Sequence, residues 1–218
     1  MKRPKSYKKS YKRRKAFREP GKRVLVVTEG TVTEPRYFDA LLSKLQISTR
    51  SVVVYPSNGS DPITIVDTAI CTLTRNRENH EPAFDEAWLV FDTEDQREHL
   101  SEALDKARAH KLNLAINAPS IEYWFLLHFE YTTKYMVKCR EVEHELRKHC
   151  TYTKDGFDAT LLIAKTDVAL SNARRIRNNR APNTEFPQTD MDLLVTEINA
   201  LASDANKLFD KLSDKRCE

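Results

Sequence analysis

Three short runs of branched and aromatic residues, Val24 to Val27 (VLVV), Val52 to Tyr55 (VVVY) and Ala87 to Phe91 (AWLVF), are separated by stretches with helical spacing. Such runs, apolar without a polar alternation, are what strands buried on both faces require. Between the first two, Tyr37, Phe38, Leu41, Leu42 and Leu45 share one helical face, with Thr33 expected to cap the helix and Pro35 in its first turn. The turn-rich PSNGSDP ends the second run. Asp61-Pro62 then opens a second helix, with Val66, Ile70 and Leu73 inward. Leu100, Ala103, Leu104 and Ala107 mark a third helix. Leu112, Leu114 and Ile116 alternate as a fourth strand, and Ser120 is placed to cap the apolar IEYWFLLHF. Strand and helix alternating four times predict an α/β fold, a parallel four-stranded sheet with helices on both faces.

Beyond residue 130 the pattern is mostly helical. Met191, Leu194, Val195, Ile198, Leu201, Ala205, Leu208 and Leu212 keep a three-four spacing into a final helix, and Arg174 to Gln188 reads as an exposed basic loop. The expected organisation is a basic tail at 1–22, an α/β core at 23–130 and a helical extension at 131–218 packed on that core.

Composition narrows the function. Four glycines in 218 residues leave no room for a glycine-rich nucleotide loop. Cys71, Cys139, Cys150 and Cys217 form no C-x-x-C pair and read as reduced thiols of a cytoplasmic protein. No apolar stretch is long enough for a membrane span, and no apolar segment follows the basic start as a secretory signal would. Residues 1–23 hold 12 of the 36 lysines and arginines against one acid, so a net charge of +4 hides a tail of +11 and a body of −7. Tyr7, Tyr11 and Phe17 interleave with that charge. The tail suits a nucleic acid, by phosphate neutralisation and base stacking, or else serves solubility or an acidic protein partner.

In a parallel sheet, ligands bind at the carboxyl ends of the strands. There the sequence sets Glu29 after strand one with Glu34 opening the next helix, then Asp92, Glu94 and Asp95 after strand three, and Glu122 after strand four. Carboxylates converging on one rim repel by several kcal/mol, on the order of 4 kcal/mol for a pair about 4 Å apart at an effective dielectric near 20. A hard cation such as Mg²⁺ relieves that repulsion and supports phosphodiester hydrolysis. The plain alternative is that the acids are solvated turn residues and helix caps, Glu34 and Glu122 above all.

The segments VTEGTVTEPRYFDAL, LVFDTED and NAPSIEYWFLLHF together resemble the RloB-like family, a branch of the Toprim superfamily, over roughly residues 23–130. That resemblance implies a Toprim-like core with a glutamate after strand one and a D-x-D after strand three binding Mg²⁺, for which Mn²⁺ can substitute. Glu29 takes the glutamate's place as metal ligand or general acid-base group. Asp92 takes that of the first aspartate. Glu94 stands where the second is usual, with Asp95 next to it as the other choice. Glu34 and Glu122 match further glutamates of the family's motifs. The implied protein is a metal-dependent nuclease in antiphage defence, with an ATPase partner and self-association as further expectations.

Remaining features carry two readings each. Lys165, in LLIAKTD, is a surface lysine or a cation that offsets charge on a transition-state phosphate. Arg174, Arg175, Arg177 and Arg180 are an exposed face or an extension of the phosphate-binding surface. His128, inside an apolar helix, reads as a buried structural histidine rather than a catalytic base. Cys139, His144, His149 and Cys150 lack a standard zinc spacing, and EVEHELRK between them reads as a solvated helix. The expected activity is Mg²⁺-dependent hydrolysis of DNA or RNA by Glu29, Asp92 and Glu94 or Asp95. The alternatives are a non-catalytic nucleic-acid-binding or regulatory subunit and a primase-like polymerase.

Overall fold

A computed structural model describes residues 21–93, 99–180 and 187–214. Residues 1–20 of the basic tail, Glu94 and Asp95 lie outside the described residues. The chain runs β1 (Val24–Thr28), α1 (Thr33–Leu45), β2 (Val52–Pro56), α2 (Pro62–Glu78), β3 (Glu86–Asp92), α3 (Leu100–Ala109) and β4 (Asn113–Ala118). It continues with α4 (Ile121–Leu126), α5 (Cys139–Leu146), α6 (Ala159–Ile163), α7 (Thr166–Asn179), β5 (Gln188–Thr189) and α8 (Met191–Asp214).

The sheet order is β2-β1-β3-β4-β5. The four strands expected from the sequence are present and mutually parallel. A fifth, two residues long, pairs antiparallel with the end of β4, Asn117 opposite Thr189 and Ala118 opposite Gln188. The sheet is therefore five-stranded rather than four-stranded. The segment read as a basic loop is in part the end of α7 and in part this added strand.

Alternation of side chains across β1 explains the layers. Val24 and Val26 join a core with Tyr37, Phe38 and Leu41 of α1 and with α4 to α8, while Leu25 and Val27 join a second core with Ile65 and Val66 of α2 and Ala103 and Ala107 of α3. Both faces of β1 are fully buried, which is why its sequence carries no polar alternation. Because α1 covers one face and α2 and α3 the other, the chain reverses its direction of travel between β1 and β3. The carboxyl ends of those strands form the topological switch point, the crevice where ligands bind in sheets of this kind.

Helix starts divide the expectations. Asp61 caps α2, its carboxylate accepting from Ile63 N–H at 3.0 Å, with Pro62 in the first turn. Thr33 is not a cap: it is the first helical residue of α1, and its hydroxyl donates to the Lys154 carbonyl at 3.1 Å. Ser120 holds the N-cap position of α4, but its side chain makes no capping bond. Those strong N-cap formers stand where packing, not capping, sets the backbone. The extension lies on the α1 face: Arg36 donates to the Asp155 carbonyl at 2.8 Å, and Ile198 of α8 is fully buried in the core it shares with β1 and β3.

Candidate active site

The turn after β1 is closed by Thr28 Oγ1 donating to the Gly30 carbonyl at 2.9 Å. Glu29 continues the ladder, its N–H donating to the Val90 carbonyl at 3.0 Å, so its side chain leaves from the middle of the switch point. Its Oε2 accepts the Asp92 N–H at 3.1 Å. Glu29 and Asp92, 63 residues apart in sequence, are thus joined directly.

Glu34 folds back from the first turn of α1 and accepts the Gly30 N–H through Oε1 at 2.9 Å. A Cβ at position 30 would fall 2.8 Å from Glu34 Cδ and 2.9 Å from Oε1, so this approach needs glycine. Glu34 is only 5% exposed. Burial raises its proton affinity; the N–H groups of Glu34 and Gly30 work against that, and the charges of Glu29 and Glu122 add to it.

Asp92 ends β3 and keeps part of its surface open. Removal of its carboxyl from water, then the charges of Glu34, Glu122 and Glu29, push its pKa well above the ordinary range, against the Ile121 N–H that favours the anion. The carboxylate is held by Asn117 Nδ2, which donates to Oδ1 at 3.3 Å. Asn117 is fully buried in β4, and its carboxamide oxygen accepts from Thr189 Oγ1 at 2.7 Å. Glu122, 3% exposed, is no solvated cap: Tyr152 donates its hydroxyl to Oε1 at 2.7 Å and the Cys139 thiol faces Oε2 at 3.4 Å.

Glu29, Glu34, Asp92 and Glu122 are therefore one electrostatic unit. No three of them bring carboxylate oxygens within 4.8 Å of one another; among the described residues only Glu122, Cys139 and Glu143 do so. Oxygens held by one octahedral Mg²⁺ lie no more than about 4.2 Å apart, so a single ion could engage at most two of these four carboxylates and would take its other ligands from water or phosphate.

Other expected site residues stand elsewhere. Lys165 places Nζ 4.7 Å over the Phe129 ring, with no ion pair to the four acids among the described residues. Arg177 is tied to Asp190 and Asp192 and to the Thr189 carbonyl, so it fastens β5. Arg174 donates to Thr196 Oγ1, and Arg175 lies 4.0 Å over the Tyr131 ring. His128 is fully buried, shares a hydrogen bond with the Trp124 carbonyl through Nδ1 and is held neutral, its pKa brought down to about 4 by burial. A concavity of about 420 Å³ beside Ile70, Phe84 and His110 sits at the amino ends of the strands, away from the acids.

Sequence reasoning passes over Asn117, Tyr152 and Thr189, and considers Cys139 only in the company of His144, His149 and Cys150. Asn117 at the end of a strand beside the acid-bearing one is the detectable signal; the other three reach the site by tertiary contact alone.

Fold and site define a doubly wound α/β protein with an acidic rim at its switch point. A family model described as RloB-like protein matches residues 24–198, and the chain belongs to that family. No curated protein and no solved structure matches it. No described helix is long and apolar enough to cross a membrane.

Proposed function

We propose that this protein is a Toprim-type, metal-dependent nuclease that hydrolyses phosphodiester bonds in DNA or RNA. The observation that carries the reading is the meeting of Glu29, Glu34, Asp92 and Glu122 at the switch point, with Asp92 and Glu34 raised in proton affinity by burial and by their neighbours. A cluster that penalises its own charge suits a cationic cofactor and a substrate bearing phosphate oxygens. Mg²⁺, or Mn²⁺ in its place, would be held by Glu29 and Asp92 with Glu94 or Asp95, and would supply counter-charge to the phosphate and a more acidic water. Glu29, whose Oε2 accepts the Asp92 N–H, is the residue suited to act either as a metal ligand or as the general base that takes a proton from the attacking water. Asn117 keeps the Asp92 carboxylate oriented, and Tyr152 does the same for Glu122.

The basic tail gathers the polyanion, and Arg174 and Arg175 extend that surface, since Arg177 is engaged with Asp190 and Asp192. Family resemblance supports a role in antiphage defence in the cytoplasm, alongside an ATPase partner and with self-association. Lys165 as a phosphate-neutralising residue requires its ammonium to leave the Phe129 ring. The test is incubation of the full chain with end-labelled single- and double-stranded DNA and RNA, with Mg²⁺ or Mn²⁺ and no nucleotide. Cleavage that disappears in Asp92→Asn and Glu29→Gln is expected. Binding without cleavage under all these conditions would replace the reading with a non-catalytic nucleic-acid-binding subunit.

A further inference from the structure

Behind the rim lies a second group of donors, different in chemistry. Cys139, 4% exposed at the start of α5, has Sγ 3.4 Å from Glu122 Oε2 and 3.6 Å from Glu143 Oε1, and the three atoms all lie within 4.8 Å of one another. Each carboxylate spends its other oxygen on an outside donor. Glu122 Oε1 accepts from Tyr152, and Glu143 Oε2 accepts from Arg147 at 2.6 Å. One oxygen held from outside and one turned inward is how ligating carboxylates are oriented around a metal.

The proton count inside the group does not close. A thiol has one hydrogen, and two carboxylate oxygens face it. Ser120 Oγ, 2% exposed, has no partner of ordinary hydrogen-bond geometry among the described residues, and it lies close enough to the Cys139 thiol to favour the thiolate. A largely buried set of two carboxylates and a thiol, with the Ser120 hydroxyl beside the sulfur, suits a cation. Sulfur makes that cation thiophilic. With metal–sulfur and metal–oxygen bonds of about 2.3 and 2.0 Å, a tetrahedral site places sulfur and oxygen about 3.5 Å apart, the spacing seen here.

We propose that Glu122, Cys139 and Glu143 form a site for a thiophilic divalent cation of the zinc class, distinct from the Mg²⁺ rim and sharing only Glu122 with it. Entry of the cation displaces the thiol proton to solvent, and Ser120 Oγ or a water completes the tetrahedron. Lys154, whose charge is felt at Cys139, and Arg147 temper the negative charge without entering the donor set. The site does not depend on the nuclease reading: it would tie α5 to the start of α4 whether or not the protein cuts nucleic acid.

Co²⁺ is the probe, because its bond to a thiolate gives a near-ultraviolet charge-transfer band. The full-length chain, freed of metal, is titrated with Co²⁺ and then back-titrated with Zn²⁺. One equivalent should raise the band and Zn²⁺ should abolish it, while millimolar Mg²⁺ and Asp92→Asn leave it in place. Cys139→Ser should lose the band although Cys71, Cys150 and Cys217 remain, and Glu143→Gln, which keeps the thiol, should weaken Co²⁺ at least about tenfold. No band in the wild type, a band that survives Cys139→Ser, or unchanged affinity in Glu143→Gln would each overturn the assignment.

Discussion

Gly30→Ala separates the geometry of the acidic rim from its charge. The new Cβ would meet Glu34 Cδ at 2.8 Å, whereas carbon atoms in ordinary contact sit about 3.5–4.0 Å apart, so the carboxylate must retreat by about 1 Å. That retreat breaks the 2.9 Å bond from the Gly30 N–H, and a hydrogen bond to a charged group contributes about 1.5–3 kcal/mol. Gly30 does not have a positive φ, so alanine brings no backbone strain and recovers about 0.4–1 kcal/mol by restricting the unfolded chain. The net loss is about 1–2 kcal/mol, or about 2–8 °C in Tm for a chain of this size. The assay is thermal and denaturant unfolding of the two single variants and the double variant with Glu34→Ala. With Glu34 truncated there is nothing to collide with, and Gly30→Ala should become neutral or slightly stabilising. An equal loss in both backgrounds would refute the argument, because the cost would then not pass through Glu34. If the rim is catalytic, a displacement of this size should also lower cleavage about 100-fold with little change in binding.

Asp92 and Glu34 bind protons more tightly folded than unfolded, so metal-free stability should fall as pH rises from the ordinary carboxylate range through their raised values and stay low above. Asp92→Asn should therefore melt at or above the wild-type temperature at pH 7 and show a shallower pH profile; a wild-type profile unchanged by the substitution would contradict this. The same variant should lose the gain that Mg²⁺ gives the wild type, about 2.7 kcal/mol at a hundred times Kd, read as the metal-dependent Tm shift. Tyr152→Phe leaves Glu122 Oε1 without its donor and should cost about 1–3 kcal/mol in denaturant unfolding; a change too small to resolve would show that water replaces the hydroxyl freely. Deleting residues 1–20 should weaken nucleic-acid binding and reduce the log-log salt slope by about 0.7–0.9 for each phosphate that the tail neutralises; an unchanged slope in a binding titration would assign the tail to another partner.

The layers of the fold are readable in the sequence because burial on both faces writes itself into strands as unbroken runs such as VLVV. Parallel topology then dictates that Glu29, Asp92 and Glu122 meet at one end. What stays hidden depends on contacts without a local pattern. Gln188 and Thr189 are too short a strand to show a period, and Thr189 reaches Asn117 across 72 residues. Tyr152 finds Glu122 from 30 residues away, out of an irregular segment. Arg177 resembles a phosphate ligand because a charge on a helix does not announce its partner, and here the partners are Asp190 and Asp192. Cys139 has His144, His149 and Cys150 as its neighbours in sequence, whereas its neighbours in space are two glutamates.

The antiparallel pairing of β5 with β4 fixes an order of events during synthesis. A nascent chain that ends before Thr189 can already lay down its four parallel strands, yet β4 is still an open edge and the Asn117 carboxamide lacks the hydroxyl that orients it. Asp92 Oδ1 then faces a carboxamide that no other hydrogen bond among the described residues holds in place. The Asn117 contact is complete only once Thr189 has docked, so a chain terminated before Thr189 should keep the four parallel strands yet lack the bond that orients Asn117 against Asp92.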